Sequence, residues 1–181
     1  MTDLRQLVEK AKQSELFTAP RLEADLGVFL TEQAGRIRSL AAEAVESGVQ
    51  HIYFVGSGGS WANMYSGAYL MSRFCTIPAD VMTGYDLIWR DPARLGPKAW
   101  VFLASYSGNT EDTVAALRHA KSRGARTIGI ARRRDSTLCR EADTLIDYDS
   151  TALYILPLAT VYLFALEVAR LQGRTDVVPV I

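Results

Sequence analysis

Apolar runs and amphipathic stripes alternate along this chain, and the alternation predicts strands and helices in turn. Five short runs have the character of buried strands, and they lie at residues 51–55, 77–82, 99–104, 127–131 and 144–147. The run at 99–104 is apolar throughout, as is typical of a strand covered on both faces of a parallel sheet. Strands that alternate with helices favour an α/β fold whose sheet is parallel and covered by helices on both sides.

Segments with helical spacing flank each of these strands. Two helices are predicted before the first strand, a short one over residues 4–11 and a long one that starts near Pro20 and stops at Gly48. Later helices are predicted over residues 61–74, 85–90, 110–121 and 156–172. The helix over 61–74 is apolar on more than one face, which fits either a central core helix or a helix at a subunit or domain interface.

Length and charge narrow the class of protein. A chain of 181 residues is expected to form one domain, and its 20 basic residues equal its 20 acidic ones, so no net field favours nucleic acid or a membrane. Cys75 and Cys139 have neither metal-site nor disulfide spacing and fit a reducing compartment. The charged N-terminus is unlike a signal peptide, and the uncharged stretch 151–166 is too short to span a bilayer. We therefore expect a cytoplasmic protein with no metal, no nucleic-acid partner and no membrane partner.

A cluster of hydroxyl groups follows the third strand. Residues 105–110 supply four hydroxyls, from Ser105, Tyr106, Ser107 and Thr110, around a glycine and just before a helix. A helix N-terminus has unpaired N–H groups and a positive dipole end, so it suits an anion. The absence of a lysine argues against a nucleotide triphosphate loop. The cluster therefore predicts a site for the phosphate of a small metabolite, although a strand-to-helix turn without a ligand fits the same local spacing.

A second loop of this kind follows the first strand. Glycines at 56, 58 and 59 with Trp61 do not fit the dinucleotide fingerprint, so no nicotinamide cofactor is expected. If the first and third strands are neighbours, both loops face one crevice at the carboxyl edge of the sheet. Ser136, after the fourth strand, belongs to the same edge, where it either contacts the ligand or caps the next helix.

These motifs resemble those of the sugar isomerase (SIS) domain family. Residues 105–110 match S-x-S-G-x-T, residues 56–60 match the G-x-x-S loop, and residues 135–143 are similar to the S-x-L…A-D element. The resemblance covers about residues 20–172. It implies a three-layer α-β-α sandwich with a five-stranded parallel, flavodoxin-like sheet preceded by N-terminal helices.

The resemblance also implies a set of site residues, without a cofactor or a metal. The phosphate-binding set is Ser105, Ser107, Gly108, Asn109 and Thr110. The sugar-binding set is Ser57, Gly58, Ser60, Tyr106 and Ser136. Glu111 and Asp112 fall in the first helical turn, where carboxylates favour the helix dipole, so a structural role is expected for them.

A general base is missing from these loops. Moving a proton between C1 and C2 of a sugar needs a base such as Glu or His. His51 starts the first strand, His119 lies more than two turns beyond Thr110, and Glu167 is near the far end of the last helix. The catalytic residues are therefore left unassigned.

Residues 51–171, including the Ser-Gly-Gly-Ser-Trp loop at 57–61, look most like the first domain of the two-domain members of this family. In two-SIS proteins the catalytic Glu and His lie in the second domain. Such proteins include fructosamine-6-phosphate deglycases, AgaS-like isomerases and the isomerase part of glucosamine-6-phosphate synthase. The leading hypothesis is the first half of such an enzyme, acting on a ketose or fructosamine 6-phosphate. Two alternatives stay open: a complete single-domain isomerase of the 6-phospho-3-hexuloisomerase kind, and a non-catalytic sugar-phosphate sensor.

The same hypothesis divides the chain into three parts. Residues 1–47 are expected to form a helical segment that packs on the domain or on a partner, residues 48–173 the SIS domain, and residues 174–181 a tail or the start of a linker. The expected partners are a sugar phosphate and either a second copy of the chain or a second SIS domain.

Overall fold

The computed structural model describes residue 6 and residues 19–132, 134–150 and 154–174. The short helix predicted over 4–11, apart from residue 6, and the tail from 175 lie outside the described residues. In chain order the elements are α1 (Ala19–Glu46), β1 (His51–Gly56), α2 (Gly59–Phe74), β2 (Ala79–Met82), α3 (Gly84–Arg90), β3 (Ala99–Ser105), α4 (Glu111–Ser122), β4 (Arg126–Ala131), α5 (Thr137–Glu141), β5 (Thr144–Asp147) and α6 (Ile155–Leu171). The predicted alternation of strands and helices is confirmed.

One parallel sheet contains all five strands, in the order β2-β1-β3-β4-β5. Every residue of β1 and β3 is buried, because helices cover both faces of the sheet. Side chains of alternate residues enter two separate cores. Phe54 and Phe102 pack against Phe164 of α6, whereas Val55 and Leu103 belong to a cluster that includes Leu117 of α4. The three-layer α/β sandwich predicted from the sequence is confirmed.

The helix α1 packs on the domain itself. Its apolar stripe includes Phe29, Ile37 and Leu40, which are buried in the same core as α6. The helix α2 contributes to the core through Met64, whereas Tyr65 is 52% exposed. A subunit or domain interface on the exposed side stays a prediction.

The boundary of β2 differs from the sequence prediction. The strand begins at Ala79, two residues later than expected, and Ile77 is buried but lies outside the ladder. Pro78 has no N–H to give to a ladder, although its carbonyl still accepts from the Ile52 N–H at 3.0 Å.

The adjacency of β1 and β3 places the functional loops. Their register runs from the pair His51 and Ala99 to the pair Gly56 and Ala104, so both strands end at the same level of the carboxyl edge. Here the order of the strands reverses direction, which is where open α/β sheets bind ligands. No helix among the described residues is long and apolar enough to cross a bilayer.

Candidate functional site

A cavity of about 290 Å³ opens where β1 and β3 end. Its walls come from the loop after β1, the loop after β3 and the start of α6, and the lining residues are Ser57, Gly59, Ser60, Tyr106, Ser107, Thr110 and Tyr154. The two hydroxyl-rich loops therefore share one crevice, as expected if β1 and β3 were neighbours. The volume is near the lower end of the range for small-molecule sites.

The loop after β3 holds its own hydroxyls through a chain of hydrogen bonds. The Gly108 N–H donates to Ser105 Oγ at 3.0 Å, and Ser105 Oγ lies 2.7 Å from Thr110 Oγ1. The Asn109 N–H donates to Ser107 Oγ at 3.2 Å. Ser107 thus accepts from the backbone, and its own hydrogen is directed either at Ser105 Oγ, 3.5 Å away, or at a ligand. Thr110 keeps its hydrogen when Ser105, which already accepts from Gly108, donates to it. Two hydroxyl hydrogens can therefore be directed at a ligand in the cavity.

The same loop is fastened to the start of α5. The Gly108 carbonyl accepts from the Leu138 N–H at 2.9 Å, and Asn109 Oδ1 accepts from the Thr137 N–H at 2.9 Å. Gly108 has φ +67°, and a Cβ built on it would lie 2.0 Å from Ser136 Oγ. A side chain at 108 would therefore meet both backbone strain and a buried neighbour.

Half of the residues predicted from the sequence line the cavity. These are Ser57, Ser60, Tyr106, Ser107 and Thr110. Ser105 is only 3% exposed and supports the loop from beneath. Gly108 is buried, whereas Gly58 and Asn109 are exposed beside the cavity and are not among its lining residues.

Ser136 caps α5, which is one of the two roles that the sequence allowed for it, the other being contact with the ligand. It is 1% exposed, and its Oγ accepts from the Cys139 N–H at 3.4 Å at the start of α5. The helix-cap interpretation is confirmed. Contact between Ser136 and a sugar stays a prediction, and Ser136 is not among the residues that line the cavity.

Tyr154 and Gly59 line the cavity although the sequence prediction did not include them. The Tyr154 ring lies against the first residue of α2, since a Cβ on Gly59 would fall 2.3 Å from that ring. The available signal was topological. The segment after β5 returns to the same edge of a parallel sheet, and Tyr154 directly precedes the last helix.

The helices that start at the cavity differ from the others at their N-termini. Among the described residues, α2, α4 and α6 have no hydrogen bond from a side-chain cap. By contrast, Thr83 caps α3 and Ser136 caps α5. Without a side-chain cap, first-turn N–H groups of these helices stay available around one cavity, together with the positive ends of the helix dipoles. The exceptions are Ser60, whose N–H donates to the Ser57 carbonyl at 3.1 Å, and Pro157, which has no N–H. This arrangement suits an anion.

Within the described part of the chain, charged groups lie behind the cavity and not in its lining. Ser57 Oγ donates to Asp112 Oδ2, in the first turn of α4. Arg132 Nη1 donates to the Tyr106 hydroxyl at 2.9 Å, so the phenol keeps its own hydrogen for another acceptor. Arg132 also lies 3.9 Å from Asp149. Burial raises the pKa of nearby Tyr148, so that this phenol is neutral at physiological pH.

Neither histidine lies at the cavity, in agreement with the sequence prediction. His51 begins β1 at the amino edge, where its Nε2 lies 2.9 Å from Asp80 Oδ2. His119 is in the last turn of α4 and lies 2.9 Å from Asp91 Oδ1. Within the described residues no group of three or more His, Cys, Asp or Glu side chains could hold a metal ion. The catalytic residues stay unassigned.

Comparison with known proteins gives one family. The model of the SIS domain family matches residues 47–171. The fructosamine deglycase FrlB of Bacillus subtilis (strain 168) is 39% identical over 102 residues, which are 56% of this chain and 31% of that protein. A glutamine–fructose-6-phosphate aminotransferase (isomerizing) of Corynebacterium glutamicum is 34% identical over 140 residues, which are 73% of this chain and 22% of that enzyme. The chain thus spans less than a third of the length of these two relatives.

A solved structure extends the similarity to the fold. A protein of Salmonella typhimurium LT2, provisionally assigned as a sugar binding protein, superposes with a TM-score of 0.72 and 30% identity. The match covers 86% of this chain and 49% of that chain. The same architecture therefore forms about half of a longer protein.

Proposed function

This chain belongs to the SIS domain family, and we propose that it is the phosphosugar-binding half of a two-SIS enzyme acting on a ketose or fructosamine 6-phosphate. The names of its relatives support this substrate class, since one is a fructosamine deglycase and another an isomerizing fructose-6-phosphate aminotransferase. The reaction would be aldose–ketose isomerisation or loss of an amine from C1.

The observation that carries the proposal is the set of unused donors around one cavity. Three helices lack a side-chain cap where they meet it, and the hydroxyls of Ser107 and Thr110 can each direct a hydrogen at a ligand. A phosphate supplies several strong acceptor oxygens and a negative charge, so it matches these donors in number and sign. The loop of residues 105–110 is the proposed phosphate site, with Ser105, Gly108 and Asn109 shaping it.

The lining residues away from this loop suit the neutral part of a sugar. Ser57, Ser60 and Tyr106 offer hydroxyl groups, and Tyr154 adds an aromatic wall. Among the residues that the structure describes, no lysine or arginine lines the cavity, so neutral donors and dipoles there would hold the phosphate. Such a site fits a metabolite that must be released after each turnover.

The position of the histidines supports catalysis outside this half. Both lie away from the cavity, and Glu167 is paired with Arg170 at 2.6 Å near the end of α6. We therefore place the base in a second SIS domain. In this scheme residues 1–47 are the N-terminal helical segment, residues 48–173 the sugar-phosphate domain and residues 174–181 a tail or the start of a linker.

An exposed aromatic stripe supports a partner beside the cavity. Trp61, Tyr65 and Tyr69 are spaced four residues apart on α2 and are 36%, 52% and 52% exposed. Tryptophan and tyrosine are enriched at protein interfaces, and Trp61 directly follows Ser60 of the cavity. We propose that a second SIS domain or a second copy of the chain covers this stripe. Sedimentation at micromolar concentration should then give at least a dimer, and a monomer would contradict the second copy.

The state of the two cysteines indicates the kind of cellular compartment in which the chain folds. Cys75 and Cys139 are both free thiols, which is the usual state in a reducing environment. We propose a cytoplasmic location on this ground.

Calorimetric titration tests the proposed function. Fructose 6-phosphate and glucose 6-phosphate are titrated into the full chain, with free fructose as the control, and each mixture is checked for product. Binding that needs the phosphate and gives no product is the expected result. Product would instead favour a complete isomerase, and absence of binding would overturn the proposed ligand.

A further inference from the structure

Ser57 differs from the other hydroxyls of the cavity in how its hydrogen is used. A serine hydroxyl has one hydrogen, and Ser57 donates it to the carboxylate of Asp112. Ser107 and Thr110 have no carboxylate partner of this kind, so each can direct its hydrogen at a ligand when Ser105 donates to Thr110. The cavity therefore has a donor side formed by the β3 loop and an acceptor side at Ser57.

The two sides favour different parts of a ligand. An oxygen whose hydrogen is already engaged can only accept, and phosphate oxygens at neutral pH are acceptors themselves. The carboxylate of Asp112 behind Ser57 adds a negative charge that disfavours an anion at that wall. A sugar hydroxyl can donate to Ser57 and carries no charge.

We propose that Asp112 is a positioning residue that turns Ser57 into a hydrogen-bond acceptor for a sugar hydroxyl, and thereby fixes the direction in which a sugar phosphate lies in the cavity. The proposal rests on the proposed function. It assigns Asp112 a role in recognition, where the sequence predicts only a favourable interaction with the dipole of α4.

Glu111 provides a matched comparison for that simpler role. It is the neighbouring carboxylate in the first turn of α4, so it interacts with the same dipole. Its Oε1 accepts from the Tyr85 hydroxyl at 3.3 Å, and it is not among the residues that line the cavity. Removing either carboxylate changes the charge of the helix start equally, but only the loss of Asp112 releases Ser57.

The experiment compares two ligands across five variants of the full chain. The variants are Asp112→Ala, Asp112→Asn, Ser57→Ala, the double variant of Ser57→Ala with Asp112→Ala, and Glu111→Ala. Affinity for fructose 6-phosphate is measured by calorimetry, and affinity for inorganic phosphate by competition. Thermal melting of each variant confirms that it is folded.

The expected result is a change in selectivity and not a general loss of binding. Asp112→Ala should weaken fructose 6-phosphate by roughly two- to tenfold, the range for one neutral hydrogen bond, while phosphate binds as tightly as before or more tightly. Asp112→Asn should restore most of the loss, because its amide oxygen can still accept from Ser57. Glu111→Ala should leave the ratio of the two affinities unchanged. In the Ser57→Ala background the Asp112→Ala substitution should not weaken the binding of fructose 6-phosphate any further.

Several outcomes would overturn the role of Asp112 and leave the proposed function intact. They are equal losses for both ligands in Asp112→Ala, the same change of ratio in Glu111→Ala, or additive effects of the Ser57 and Asp112 substitutions. If the unaltered chain does not bind fructose 6-phosphate at all, the proposed function fails, and this inference fails with it.

Discussion

The contact between Gly108 and Ser136 allows a stability prediction that separates strain from packing. Gly108→Ala places a Cβ at φ +67°, 2.0 Å from Ser136 Oγ and 2.4 Å from Ser136 Cβ. Gly48→Ala is a matched control, because Gly48 has the same φ of +67° but no atom within 4 Å of its Cβ position.

The magnitude follows from these two geometries. A left-handed backbone conformation costs an alanine about 1–2 kcal/mol, so Gly48→Ala should lower the free energy of unfolding by this amount only. Gly108→Ala adds overpacking of about 1–3 kcal/mol. It also displaces the hydroxyl that caps α5, for about 1 kcal/mol more. We therefore expect Gly108→Ala to lower the free energy of unfolding by about 3–6 kcal/mol, which is a large part of the stability of an ordinary domain.

Guanidinium unfolding of the two variants and the unaltered chain is the assay. The midpoints should fall in the order unaltered chain, Gly48→Ala, Gly108→Ala, with similar slopes. Gly108→Ala should also bind fructose 6-phosphate more weakly, since the loop that carries Ser107 must shift. Equal losses of stability in the two variants would refute the reasoning, because they would mean that Ser136 gives way without cost.

Three further predictions concern single side chains. Ser107→Ala should weaken binding of a sugar phosphate about ten- to a hundredfold by removing one charge-assisted hydrogen bond, and unchanged affinity in calorimetry would exclude Ser107 from the site. Burial raises the pKa of Cys75 to about 12, so iodoacetamide at about pH 8 should label it slowly in the native chain and readily after unfolding; fast native labelling would contradict this. For Asp143, burial acts to raise the pKa, but hydrogen bonds from Lys121 and Thr127 outweigh it and hold the pKa below its usual 3.8. This group therefore stabilises the fold above pH 3.8 and loses that effect as the pH falls through the lower, folded value, so Asp143→Asn should make the unfolding free energy less dependent on pH in this range, and an unchanged acid profile would count against it.

The sequence predicted the architecture well because its signals are local. The apolar run at 99–104 predicts β3, and the glycine-rich turn after β1 marks the end of that strand. Neither prediction depends on residues far away in the sequence. The shared crevice of the two loops was predicted only on the condition that β1 and β3 are neighbours, and the structure meets that condition.

The details of the site were less accessible because they depend on tertiary contacts. A motif places Ser105 and Ser107 two residues apart, but only the structure shows that Ser105 is buried beneath the loop while Ser107 faces the cavity. The bond between Ser57 and Asp112 joins residues 55 positions apart. Tyr154 reaches Gly59 across the edge of the sheet, and no local spacing indicates such a contact.

The missing side-chain caps on α2, α4 and α6 have a consequence for the amount of folded protein. A cap is worth about 1 kcal/mol, so each uncapped helix start at the cavity leaves the free chain less stable than it could be. An anion that occupies those N–H groups restores stability by an amount that rises with its concentration relative to its dissociation constant. If the proposed sugar phosphate binds there, the lifetime of the folded chain would depend on its concentration, and a shortage of it would expose more of the protein to proteolysis.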